Sequence, residues 1–173
     1  MAEIKKVGIC GSGIMGSGLA EVAAKAGYDV IVRSRSKAAA DAMIASIDKG
    51  LEKQVQREKI SADDKAAILG RLSATDKIAD LKDCDLVIES VVEDLEVKKA
   101  LFAELDKEVK PGAILATNTS TLPVVEMAVA TGRPERVCGI HFFNPAPAMT
   151  LVEVVNPITA SDETIAEANA FVA

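Results

Sequence analysis

The run Val7-Gly8-Ile9-Cys10-Gly11-Ser12-Gly13-Ile14-Met15-Gly16-Ser17-Gly18 restricts what this chain can fold into more than any other segment. An apolar stretch stops at a glycine, a second glycine follows two positions later, and a third opens a run with helical spacing. This reads as strand, tight turn and helix start. Gly11 permits the turn, Gly13 lets a backbone approach a ligand with no Cβ in the way, and Gly16 lets the helix pack closely on the strand. The free N–H groups and positive dipole end of such a helix suit a dinucleotide pyrophosphate. Ile14 and Met15, between the glycines, would border the same ligand.

The remainder of the chain supports that reading. Its 173 residues suit one well-cored domain, read here as spanning 1–173. Hydrophobic residues make up 49% and aromatics only 3%, so Val, Ile, Leu and Ala must fill the core, as in a parallel sheet covered by helices. A net charge of −6 and a pI near 4.9 exclude the basic face of a general nucleic-acid binder. No apolar run reaches the ~18 residues of a membrane span, and no signal-peptide pattern precedes the first strand, so neither membrane nor nucleic acid is expected as a partner. Cytoplasmic residence is the resulting expectation. Cys10, Cys84 and Cys138 are odd in number and set mostly in apolar runs, which predicts buried free thiols without a metal.

Along the chain, strands are expected at residues 4–10, 28–33, 72–74, 85–92, 113–117, 136–142 and 151–155. Helices are expected at 14–25, 98–109 and 122–130. Between Lys37 and Arg71 the spacing of Met43, Ile44, Ile47, Leu51 and Val55, followed by Ser61 as an N-cap, predicts an inserted helical hairpin. Alternation of strand and helix implies an α/β, doubly wound, Rossmann-type and mostly parallel sheet. Ligands bind at the carboxyl edge of such sheets. That edge gathers residues 11–16, Ser34-Arg35, Glu93, residues 118–120 and residues 141–145.

Two features there bear on chemistry. Where an NAD-binding unit ends its second strand with an acid, this chain has Arg33-Ser34-Arg35-Ser36 and no carboxylate until Asp41. A hydroxyl and a guanidinium accept a 2′-phosphate that a carboxylate would repel, which favours NADP over NAD. The alternative reading makes Arg33 and Arg35 solvated loop charges and tolerates either cofactor. The second feature is His141, the only histidine, closing an apolar strand; Glu153 follows twelve positions later within Leu151-Val152-Glu153-Val154-Val155. A carboxylate in such a strand needs a partner. Bonded to one imidazole nitrogen, it fixes the tautomer and leaves the other nitrogen to take a proton.

With these motifs the chain resembles the 3-hydroxyacyl-CoA dehydrogenase family, and within it the bacterial 3-hydroxybutyryl-CoA dehydrogenase group, over nearly its whole length. The shared segments are Gly11 to Gly16, Asp85 to Glu93, Asn118-Thr119-Ser120-Thr121-Leu122, His141-Phe142-Phe143-Asn144-Pro145-Ala146-Pro147 and Leu151 to Val155. The resemblance implies a hydride exchanged between a nicotinamide cofactor and C3 of a short-chain acyl-CoA. It implies His141 as general base, Glu153 as its orienting acid and Ser120 as a hydrogen-bond donor to the reacting oxygen. Glu93, Lys98, Asn118 and Asn144 then line the nicotinamide and ribose, with Asn118 and Ser120 also meeting substrate. Read without it, Glu93 and Lys98 are a charge pair at a helix start, Asn118 and Ser120 a capping turn, and Asn144-Pro145 a plain turn.

The helical hairpin, by the same resemblance, is a CoA-binding arm on which Lys53 and Arg57 would meet CoA phosphates. Gly50 stands where relatives often carry Ser or Asn, and the basic residues equally suit a solvated face. The resemblance further implies a C-terminal helical domain that forms homodimers and walls the substrate cleft. This sequence is expected to lack that domain and to be the cofactor domain alone. The sequence leaves two other readings open. A 6-phosphogluconate or 3-hydroxyisobutyrate type of dehydrogenase would explain Arg33 to Ser36 but neither His141 nor Glu153, and a non-catalytic nucleotide-binding module would need no base at all.

Overall fold

The computed structural model describes residues 3–173, and the glycine run does form strand, turn and helix: β1 is Lys6–Cys10 and α1 is Ile14–Lys25. Six further strands follow, β2 (Asp29–Arg33), β3 (Leu72–Thr75), β4 (Leu86–Glu89), β5 (Ile114–Thr117), β6 (Val137–Phe142) and β7 (Val152–Val155). They lie in one sheet in the order β3-β2-β1-β4-β5-β6-β7. All neighbours are parallel except β7, which runs antiparallel to β6. The order reverses direction between β1 and β4, so a crevice opens there beyond the strand ends.

Strand alternation divides the interior into two cores. Val7, Ile9, Leu86, Ile88, Ile114, Ala116, Ile140 and Phe142 face one side, with Leu19 of α1 and Met43, Ile47 and Leu51 of α2 (Lys37–Gln56). Cys10, Val87, Leu115 and Val137 face the other, with Phe102 and Leu105 of α4 (Leu95–Glu108) and Met127 of α5 (Val124–Ala128). The three cysteines are buried and free, and desolvation pushes each thiol up to about 12. The terminal helix α6 (Asp162–Val172) is docked by Arg136, which donates to Glu167.

Helices α2 and α3 (Ala62–Gly70) form the expected hairpin, and the Ser61–Asp64 capping box starts α3. Because β2 and β3 are parallel neighbours, this hairpin is the crossover between them. Its inner stripe belongs to the sheet core; only the outer face is free. Some boundaries differ from the apolar runs. β4 ends at Glu89, whose carboxylate accepts from the Val91 amide and turns the chain, leaving Val92 largely exposed. α4 starts at Leu95 because Asp94 caps it, and α5 starts at Val124, with Pro123 at its N-cap. Among the described residues no helix is long and apolar enough to cross a membrane.

Candidate active site

The crevice beyond β1 and β4 is built on close backbone approaches. Gly11 has φ +126°, and a Cβ there would lie 2.2 Å from the Ser90 carbonyl oxygen. A Cβ on Gly16 would lie 2.1 Å from the Gly11 carbonyl oxygen, so the helix start can meet the strand end only as glycine. Gly13, the N-cap of α1, would meet nothing within 4 Å and faces open space. It offers no side-chain cap, so the first-turn amides of α1 remain available to an anion. Ile14 is exposed beside them.

The far wall of the crevice carries the lone histidine. His141 and Glu153 are directly opposite in the β6–β7 ladder, and Nδ1 lies 2.9 Å from a Glu153 carboxylate oxygen. The His141 side chain is 15% exposed and that of Glu153 54%. The Phe143 ring lies 4.5 Å from the imidazole, centroid to centroid, at a tilted angle. Asn118, just beyond β5, accepts a 2.8 Å hydrogen bond from the Phe142 amide through Oδ1. Its Nδ2 group is therefore the end left to a ligand. Ser120 is exposed on the same loop, and Asn144 on the loop after β6.

These groups line one cleft of about 520 Å³, bordered by Gly13, Ile14, Met15, Ser90, Val91, Glu93, Lys98, Asn118, Ser120, His141, Phe142, Phe143 and Asn144. Sequence positions spread over more than a hundred residues thus meet at one sheet edge. A hollow of about 650 Å³ lies at the other edge, between Lys5, Tyr28, Asp29 and Phe171, away from this cluster. No group of His, Cys, Asp or Glu arranged to hold a metal occurs among the described residues.

Lys98 differs from a surface charge pair. It is buried, with Nζ 2.5 Å from Glu89 and 3.2 Å from Glu93. Glu89 is itself fully buried and also accepts from Thr117, its register partner on β5, at 2.8 Å. Thr119 donates to Glu93. Burial works to raise the Glu93 carboxyl, but the bonds from Thr119 and Lys98 outweigh it and hold the group below the ordinary carboxylate value. Glu89 and the two threonines were not among the expected site residues. The signal for Glu89 was present, since an acid inside the apolar run 85–92 is as unexpected as Glu153 inside 151–155.

At the end of β2, Ser34 is nearly buried and its hydroxyl lies 2.8 Å from that of Ser12 in the glycine turn. Arg35 is exposed beside it. Arg33, the last residue of β2, is half-buried, and its Nε is buried with no hydrogen-bond partner. Asp41, the first acid after β2, is paired with Lys37. Lys53 and Arg57 are exposed at the outer end of α2 and border neither side of the cleft; Arg57 already belongs to the helix cap.

Residues 6–173 match the family model described as 3-hydroxyacyl-CoA dehydrogenase, NAD binding domain. Among curated relatives, the 3-hydroxybutyryl-CoA dehydrogenase of Bradyrhizobium diazoefficiens is 45% identical over 172 residues, 99% of this chain and 59% of that protein. That of Clostridioides difficile is 48% identical over 151 residues, 87% of this chain and 54% of that protein. The crystal structure of 3-hydroxybutyryl-CoA dehydrogenase from Escherichia coli K12 superposes with a TM-score of 0.96 at 41% identity, covering 99% of this chain and 36% of that one. The chain therefore spans little more than half the length of these curated relatives. A glycine turn at the strand-order reversal, a histidine and glutamate paired across the last two strands, and this match over nearly every residue make the chain a member of the 3-hydroxyacyl-CoA dehydrogenase family, in the part that binds the nicotinamide cofactor.

Proposed function

We propose that this chain is the cofactor-binding part of an enzyme interconverting a short-chain 3-hydroxyacyl-CoA and its 3-keto form, as the names of its relatives suggest. The observation that carries this reading is the His141–Glu153 bond, lying in the same cleft as the open N-terminus of α1. When bound, the nicotinamide takes up or delivers the hydride. With Nδ1–H donated to Glu153, His141 presents the Nε2 lone pair and removes the 3-hydroxyl proton as the C3–H electron pair departs and the C=O bond forms. In the reverse direction Nε2–H returns that proton. Ser120 donates to the reacting oxygen, and the Asn118 amide N–H groups hold a neighbouring acceptor. Glu93, Lys98 and Asn144 line the nicotinamide side.

NADP is the favoured cofactor in this reading, with NAD the alternative. Ser34, steadied by Ser12, offers a hydroxyl and Arg35 an exposed guanidinium, with no acid in the sequence before Asp41, which Lys37 holds. Lys53 and Arg57 would meet the CoA phosphates from the outer end of α2. The acyl pocket and homodimer contacts of full-length relatives belong to the length that this chain does not match. Reduction of acetoacetyl-CoA by NADPH, compared for the wild-type chain and His141→Ala, tests the reading. Loss of turnover with cofactor binding intact supports it, and equal rates overturn the base assignment.

A further inference from the structure

Three side chains at the cleft carry a charge imbalance that the hydride step by itself does not require. Lys98 is 1% exposed and lies between two carboxylates, Glu89 at 0% and Glu93 at 44% exposure. One ammonium thus faces two carboxylates, and the group keeps one net negative charge. Neutral donors, Thr117 on Glu89 and Thr119 on Glu93, satisfy the remaining oxygens without cancelling it. Among the side chains lining the cleft, Glu93, Lys98 and His141 are the titratable ones, and Lys98 is the sole fixed cation. His141 is in turn bonded to Glu153, a further carboxylate. Glu93, where the surplus reaches the cleft surface, is held ionised at neutral pH by its hydrogen bonds.

We infer that the Glu89–Lys98–Glu93 cluster discriminates between the two redox forms of the cofactor, binding the oxidised form more tightly than a neutral cleft would. This rests on the nicotinamide reading of the cleft given above. The oxidised ring is cationic and the reduced ring neutral, whereas the phosphates and riboses are the same in both. A fixed negative charge beside the ring therefore acts on the difference alone. Burial of Lys98 and Glu89 limits screening on their side, and the bonds from Thr119 and Lys98 hold the Glu93 carboxylate in place before the ligand arrives. The cluster thereby biases the bound equilibrium toward the oxidised ring, in addition to any role in shaping the loops.

The test is equilibrium titration of the intact chain with oxidised and reduced cofactor separately, by calorimetry and by the fluorescence of the reduced form. Glu93→Gln removes the surplus charge and keeps the shape. It is expected to weaken the oxidised form by about fivefold relative to the reduced form. Glu93→Asp retains the charge and is expected to leave that ratio within twofold of wild type, even where both affinities fall together. A ratio unmoved by Glu93→Gln, or moved as far by Glu93→Asp, overturns the inference. Should Glu93→Gln not fold, Glu89→Gln removes the same unit of charge and is judged by the same ratio. Wild-type protein that binds neither form overturns the nicotinamide reading itself, whereas binding of both forms with an unmoved ratio overturns this inference alone.

Discussion

Glu153 stands directly across the antiparallel β6–β7 ladder from His141, and their side chains meet at 2.9 Å on the face that opens to the cleft. Register is what achieves this. A slip of one residue would carry Glu153 to the opposite face among Val152 and Val154, and the imidazole would lose its partner. Glu153→Gln keeps the shape and removes the charge. Under the function proposed above, it is expected to lower kcat for acetoacetyl-CoA reduction by about 10²-fold with cofactor affinity within twofold of wild type. Stopped-flow and titration data on the same preparation check both numbers. An unchanged kcat would mean that the carboxylate, half-exposed as it is, does not steer the base.

Gly16 lies so close to the Gly11 carbonyl that no side chain fits between them. Gly16→Ala is expected to force the start of α1 away from β1, lowering cofactor affinity at least about tenfold and reducing Tm. Calorimetric titration beside a thermal melt checks both.

Gly50 provides the opposite case. It lies inside α2, and a Cβ there would meet nothing within 4 Å. Gly50→Ala is expected to stabilise the chain by about 0.5–1 kcal/mol, because alanine loses less backbone entropy in a helix. Urea unfolding measures it, and a loss of stability would show that the outer face of α2 is not as free as the geometry indicates.

Arg133 is buried at the end of α4 and closes it with four donations: to the Asp106 carboxylate at 2.6 Å, and to the carbonyls of Lys110 at 2.5 Å, Asp106 at 2.5 Å and Val109 at 2.8 Å. Arg133→Met removes all four donations at once, although the Lys110 carbonyl keeps the Ala113 amide and the Asp106 carboxylate keeps the Gly132 amide. A loss of about 2–4 kcal/mol is expected in chemical denaturation.

The Asp106 partner adds a pH signature. Burial acts to raise its carboxyl, but the Gly132 amide and Arg133 outweigh that and hold it below the ordinary 3.8. A depressed carboxyl contributes stability above its unfolded value and loses it as pH falls through the folded value. The stability gap between wild type and Asp106→Asn is therefore expected to be full at pH 7, to narrow below about pH 4 and to close at lower pH. Urea melts across that range, at constant ionic strength, give the comparison.

The strands and most helices announce themselves locally, because apolar periodicity and the Gly, Pro and Ser punctuation act within a few residues, whereas α6 is not among the expected helices. The glycine turn, the hairpin between Lys37 and Arg71, and the suspicion that an acid inside an apolar strand must serve His141 were all readable in this way. The apolar run 85–92 extends beyond β4, since hydrophobicity does not reveal that Glu89 folds back to take the Val91 amide.

The linear order of residues determined the element types, the ligand edge and the histidine–glutamate pair. Tertiary structure decided which distant segments became neighbours: that β7 turns antiparallel, that the hairpin is a β2–β3 crossover, that Lys53 and Arg57 lie outside the lining of the cleft, and that Lys98 is drawn beneath it by Glu89. The physical reason is one of range. Periodicity is a property of adjacent positions, whereas Glu89 and Thr117, twenty-eight residues apart, become partners only when packing brings β4 and β5 into register.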